Sequence, residues 1–189
     1  MGRSDELLAD DLPDWRLGAL APAIDDVVAR TWDDLEPTDR DALRGFAAAF
    51  PSRQEGLEAA GLSDTLVHGD FHPGNARGDV GGGRAEPRLV LLDWGDCGVG
   101  HPLLDQAAFL DRIRAEDVPG VVDVWHRAWR MAVPGSDPSR AAALLAPVAA
   151  ARQAVIYRRF LDGIEPSEHP YHRADPAHWL RRTAAILRR

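Results

Sequence analysis

Six polar side chains gather in two short stretches of this 189-residue sequence. His68, Asp70, His72 and Asn75 occupy the first, and Asp93 and Asp96 the second. Each stretch follows a β-prone apolar run, Thr65-Leu66-Val67 and then Arg88 to Leu92, and each carries glycine: Gly69 and Gly74, then Gly95. Polar groups at strand ends in glycine-bearing loops are placed to meet a ligand. Two chemistries suit these residue types. Phosphoryl transfer needs a carboxylate to take the proton of an attacking hydroxyl, hard oxygen ligands for magnesium, and positioned, neutralised phosphates. Alternatively, His68, Asp70 and His72 alternate, so on an extended strand they would share a face and could hold zinc in a metal-dependent hydrolase. The Pro73-Gly74 turn works against a strand that runs so far.

Spacing favours the first chemistry. Asp70 stands five residues before Asn75, the single asparagine of the chain, and an Asp-Trp-Gly follows at residues 93 to 95. In kinases a base aspartate precedes a metal-binding asparagine by five, and a later Asp-Phe-Gly supplies a second metal ligand.

The run His68-Gly69-Asp70-Phe71-His72-Pro73-Gly74-Asn75 resembles the catalytic loop of aminoglycoside phosphotransferases and their relatives among the choline, homoserine and methylthioribose kinases. Leu91-Leu92-Asp93-Trp94-Gly95 is similar to their second magnesium segment, and Gly100-His101-Pro102 with Leu104-Asp105-Gln106-Ala107 to the stretch that follows it. The resemblance implies an α+β, mostly helical fold: the C-terminal lobe of a protein-kinase-like fold, with a small β-hairpin insert carrying the catalytic and metal loops. It implies that Asp70 is the catalytic base and that Asn75 and Asp93 bind Mg2+. His68 would brace the loop, and Asp105 would anchor it from the helix below. Gly69 and Gly95 would allow backbone shapes that side chains oppose. His72 and Asp96 would touch substrate. ATP would be the co-substrate, and a small-molecule hydroxyl, aminoglycoside-like or an amino alcohol, the acceptor.

The same resemblance exposes a departure. Family members carry an N-terminal lobe that covers ATP and supplies a lysine to its phosphates. Residues before His68 read as helices, and the sequence holds no lysine. The expectation is therefore a lobe without its ATP-binding partner: a truncated kinase or an inactive remnant with a binding or regulatory role.

The elements that must position these residues are read from periodicity. One domain is expected over 1–189, helical over 1–64, carrying the catalytic and metal segment over 65–96, and helical again over 97–189. Leu17, Leu20, Ile24, Val27 and Val28 mark one helix, and Ala42, Leu43, Phe46 and Phe50 a second that Pro51-Ser52 ends. A shorter helix runs from Arg53 to Ala60 and stops at Gly61. Gly81-Gly82-Gly83 lies in an exposed hairpin connection over 77–87, and Gly95 to Gly100 forms a second glycine-rich loop. Pro102 then opens a helix to Ile113, Val118 to Met131 a second, Ser139 to Leu161 a third that Pro147 disturbs, and Pro176 to Leu187 the last.

Composition sets the outer bounds. A net charge of -8 argues against broad phosphate-backbone binding, so no nucleic acid partner is expected. One cysteine, Cys97, cannot build a disulfide framework, and it reads as a small packed side chain. The acidic start lacks the apolar core of a signal peptide and no stretch approaches a membrane span, which gives a cytoplasmic expectation and no membrane partner. Asp111, Glu116 and Asp117, with Asp162, Glu165 and Glu168, could line a site for a cationic acceptor, although solvated helix ends explain most such clusters. Trp125 and Trp129, one turn apart, read as core.

Overall fold

A computed structural model of the chain describes residues 3–79 and 88–189, so the expected triple-glycine connection falls partly outside the described residues. The described part is mostly helical with small antiparallel sheets, in line with the α+β expectation. It divides into two compact units.

The first unit comprises Met1–Trp15 and Gly61–Ala142. It contains α1 (Arg3–Ala9), β1 (Thr65–Val67), β2 (Ala76–Asp79), β3 (Arg88–Leu91), β4 (Gly98–Gly100), α5 (Leu103–Leu110) and α6 (Val118–Ala132). Strands β1 and β4 pair antiparallel in the register Thr65↔Gly100, Leu66↔Val99 and Val67↔Gly98. Strands β2 and β3 pair likewise from Ala76↔Leu91 to Asp79↔Arg88. The stretch expected as a glycine loop thus ends in a strand. The reason is the chain segment over residues 13 to 15: Trp15 N–H donates to Val99 O at 2.7 Å, and Val99 N–H donates to Pro13 O at 2.9 Å. Strand β4 is therefore bonded along both edges, which satisfies the backbone of a buried segment.

Gly98 makes this approach possible. A Cβ there would lie 2.4 Å from Pro13 O and 2.4 Å from Trp15 Cδ1. Trp15, Val67 and Val99 are all buried, and their apolar area holds the small sheet together.

The second unit comprises Arg16–Ala60 and Ala143–Arg189. It holds α2 (Leu17–Arg30), α3 (Pro37–Ala48), α4 (Phe50–Ala59), most of α7 (Pro138–Gly163), α8 (His169–His172) and α9 (Asp175–Leu187). Helices α3 and α9 pack together, and Arg188 reaches the buried Asp39 at 2.8 Å. One expectation shifts here, and one is met. Pro51 lies in the first turn of α4 rather than beyond a helix that ends on it, a position where its missing N–H costs nothing. Pro147 sits inside α7 without ending it. Leu145, Val148 and Ala151 around it are buried, and that packing outweighs one missing helical hydrogen bond. Gly61, at φ 75°, follows the end of α4 as expected. No helix among the described residues is long and apolar enough to cross a membrane.

Replacing Gly98 by alanine forces a Cβ onto the Pro13 carbonyl oxygen and the buried Trp15 ring. The expected loss is about 1–3 kcal/mol of stability, read as a lower midpoint in urea unfolding followed by circular dichroism.

Candidate active site

The residues of the two polar loops, with Asp105, all lie in the first unit, whereas the acidic candidates Asp162, Glu165 and Glu168 lie in the second. The catalytic loop leaves β1 at His68 and is turned at Gly69, whose φ of 88° is cheap only for glycine. Two successive N–H groups, of His68 and Gly69, both donate to the carboxylate of Asp105 in the first turn of α5, at 2.8 and 2.9 Å. A carboxylate that accepts from two backbone donors makes charge-assisted bonds, stronger than neutral ones.

His68 is buried, and its Nε2 meets Leu92 O at 2.9 Å. A carbonyl only accepts, so Nε2 carries the hydrogen and Nδ1 is bare. That Nδ1 finds no partner among the described residues. The ring also lies tilted against Trp94 at 4.6 Å, whose Nε1–H donates to Leu91 O at 3.2 Å. His68 therefore ties the first loop to the second.

The second loop holds Asp93 in a left-handed conformation, φ 62°, which a non-glycine residue adopts at a cost of order 1–3 kcal/mol. The left-handed residue is thus Asp93, and Gly95, expected to need such freedom, does not use it. A Cβ on Gly95 would meet only Asp93 Oδ1, at an ordinary 3.7 Å. Both neighbours of Asp93 are held: Leu92 donates its N–H to Asn75 O at 2.8 Å and accepts from His68, while Trp94 is fixed by its ring. Asp93 itself is exposed and has no partner among the described residues.

Asn75 closes the first loop. Its Nδ2 donates to Asp70 O at 3.0 Å and lies 3.4 Å from Asp70 Oδ2. With the amide nitrogen so used, the amide oxygen is the atom left for a ligand. An amide oxygen and a free carboxylate are the donor types a hard cation takes, usually with phosphate oxygens and water completing the shell. The residues present thus fit magnesium. No group of three or more His, Cys, Asp or Glu side chains that could hold a metal occurs among the described residues. The zinc arrangement fails for a local reason: β1 ends at Val67, His68 turns inward to Leu92, and His72 Nδ1 accepts from Gly74 N–H at 3.0 Å.

Asp96 is half-buried, and its carbonyl accepts from Trp15 Nε1–H at 3.3 Å. Glu116 and Asp117 pair with Arg114 at 3.6 and 2.9 Å. Asp162 lies in the second unit between Arg30 and Arg158, whose guanidinium hydrogen bonds hold its carboxyl below the usual carboxylate range. Three of the acidic candidates for a cationic acceptor therefore already have arginine partners.

Two residues that sequence reading passed over prove central. Trp15 seats both the β4 strand and the Asp96 carbonyl. Phe71 stacks on Phe109 of α5 at 5.3 Å and meets Trp125 of α6 edge-on at 5.7 Å, which pins the catalytic loop to two helices. A lone buried tryptophan far along the chain carries no local signal, whereas an aromatic between two polar loop residues is a readable one. Beneath them, His126 links Gln106 at 3.2 Å and Ser139 at 3.0 Å.

The chain matches the model of the phosphotransferase enzyme family over residues 2–144, more than half of its length, and it belongs to that family. The match contains every residue of the site. No curated protein and no solved structure matches the chain.

Two outcomes follow. Asp105→Ala leaves two loop N–H groups without their acceptor and should cost about 3 kcal/mol, measured by urea unfolding. His101, buried beside α5 with Nδ1 accepting from Leu103 N–H at 3.2 Å, has its pKa lowered by burial from 6.5 to about 4. The folded state keeps it neutral while the unfolded chain protonates near 6.5, so this contribution is intact above neutrality. It declines as pH falls from about 6.5 towards 4, by about 3 kcal/mol in full. A His101→Leu variant should lack that part of the acid slope in unfolding measured at stepped pH.

Proposed function

We propose that the chain transfers the γ-phosphoryl group of ATP to a hydroxyl of a small molecule, with Asp70 as the base. The observation that carries the proposal is the pairing, in a member of a phosphotransferase family, of a partly exposed Asp70 with two oxygen ligands, Asn75 and Asp93, linked through the backbone bond of Leu92 to Asn75. Asp70 accepts the hydroxyl proton as the new P–O bond forms, and the bond to the departing ADP breaks. Asn75 Oδ1 and the Asp93 carboxylate would hold Mg2+, which when bound neutralises phosphate charge. Phe71 and the Asp105 carboxylate keep the base in place while this happens. Two polar loops carried on small antiparallel sheets among helices support reading this region as a kinase-like C-terminal lobe.

A second reading, a lobe that binds but does not turn over, rests on the absence of lysine from the sequence. Any side-chain cation this sequence offers to the ATP phosphates is arginine or protonated histidine, and arginine and lysine are not interchangeable at such sites.

Purified protein, γ-labelled ATP and a panel of amino alcohols and aminoglycosides test the first reading. Asp70→Ala should lower kcat by about 10²- to 10⁴-fold, the range for loss of a general base. Asn75→Ala and Asp93→Ala should raise the magnesium concentration needed for half-maximal rate. Transfer that survives Asp70→Ala would sink the role of that residue. No transfer, with calorimetric ATP·Mg binding weaker than micromolar, would favour the second reading.

A further inference from the structure

Asp70 has two carboxylate oxygens, and the loop treats them differently. Oδ2 faces Asn75 Nδ2 at 3.4 Å and His72 Nε2 at 3.5 Å. Oδ1 has no partner among the described residues. The approaches to Oδ2 are longer than ordinary hydrogen bonds, as catalytic contacts often are before a substrate tightens them.

What the His72 nitrogen brings to Oδ2 is settled by the other side of the ring. Gly74 N–H donates to His72 Nδ1 at 3.0 Å. A backbone N–H has no lone pair to give, so Nδ1 must be bare, and the neutral ring then carries its hydrogen on Nε2. The nitrogen that carries it lies 3.5 Å from Asp70 Oδ2. Gly74 is what lets the ring lie so close: a Cβ there would sit 2.6 Å from His72 Cε1 and 2.8 Å from Nδ1. The ring fills the space where a side chain at position 74 would be.

We infer that His72 is a positioning residue for Asp70, seated on the bare backbone of Gly74, and that it engages Oδ2 so that Oδ1 is the oxygen which takes the acceptor's proton. This deepens the proposed phosphotransfer and rests on Asp70 as its base. It replaces the sequence-based expectation that His72 touches substrate. The arrangement needs both halves of the imidazole: an acceptor at the Nδ1 position for Gly74 and a donor at the Nε2 position for Asp70.

Two variants separate those halves. In His72→Gln the side-chain amide N–H reaches the Nε2 position, whereas in His72→Asn the amide oxygen reproduces only the Nδ1 acceptor. His72→Ala and His72→Asn are expected to lower kcat about tenfold, the value of one hydrogen bond to a charged group, with the acceptor KM unchanged. His72→Gln should recover most of that loss. A rise in acceptor KM with kcat intact would make His72 a substrate contact and overturn the inference.

A readout independent of turnover uses the full chain labelled with 15N. Imidazole correlation spectra of the neutral protein, assigned by loss of signal in His72→Ala, should show hydrogen on Nε2 and none on Nδ1, and Asp70→Ala should move the Nε2 resonance. An Nδ1–H tautomer, or an Nε2 resonance indifferent to Asp70→Ala, would overturn the contact. If the wild type transfers no phosphate to any acceptor, the phosphotransferase reading fails by itself, and these spectra still decide whether His72 holds Asp70.

Discussion

Two backbone N–H groups at the mouth of the catalytic loop, those of His68 and Gly69, converge on the carboxylate of Asp105, and the rest of the site is arranged around that junction. The loop has to leave a strand, reverse through a left-handed glycine and present polar side chains outward. A chain doing this cannot satisfy its own first amides. Asp105 meets both at once from the first turn of a helix, where a negative charge is also favoured by the helix dipole. With that end fixed, His68 can turn inward to the Leu92 carbonyl, Phe71 can settle against Phe109 and Trp125, and Asp70 is left facing out.

From the same junction the second loop inherits its strain. Asp93 sits in a conformation that costs free energy, and its side chain does nothing to offset the cost. The offset comes from Leu92 and Trp94, each bound to the first loop. Strain held by neighbours rather than by the residue itself leaves the carboxylate free for an external ligand, as expected where strain marks a functional position. Asn75 behaves in a matching way: its amide nitrogen is spent within the loop, on Asp70. The family's chemistry, phosphoryl transfer, is mainly a matter of positioning and charge, and these loops are built for positioning.

Much of this could be read before any coordinates. The offset between Asp70 and Asn75, the Asp-Trp-Gly and the later Asp105 pointed to the family and to the candidate site, because each is a residue type at fixed spacing. Apolar periodicity likewise located α2, α3, α6 and α9. Pro51 and Pro147 were harder. Proline has one meaning in the first turn of a helix and another in its interior, and burial of the residues around Pro147 decided which cost was tolerated. The Gly98 strand was illegible for a different reason, since its second partner, residues 13 to 15, lies some eighty positions away.

The sequence by itself determined which chemical groups the loops carry: the carboxylates of Asp70 and Asp93, the amide of Asn75, and the Asp105 carboxylate that anchors the first loop. These follow from side-chain chemistry and short spacings, which the chain cannot alter by folding. Only the tertiary structure decided which atom of each group is engaged. It put His72 Nε2 3.5 Å from Asp70, the left-handed backbone at Asp93 rather than Gly95, and the Trp15 ring against the Asp96 carbonyl. The physical reason is that hydrogen bonds and ring contacts are fixed by distances of a fraction of an ångström between residues far apart in the chain, and no local pattern records those distances.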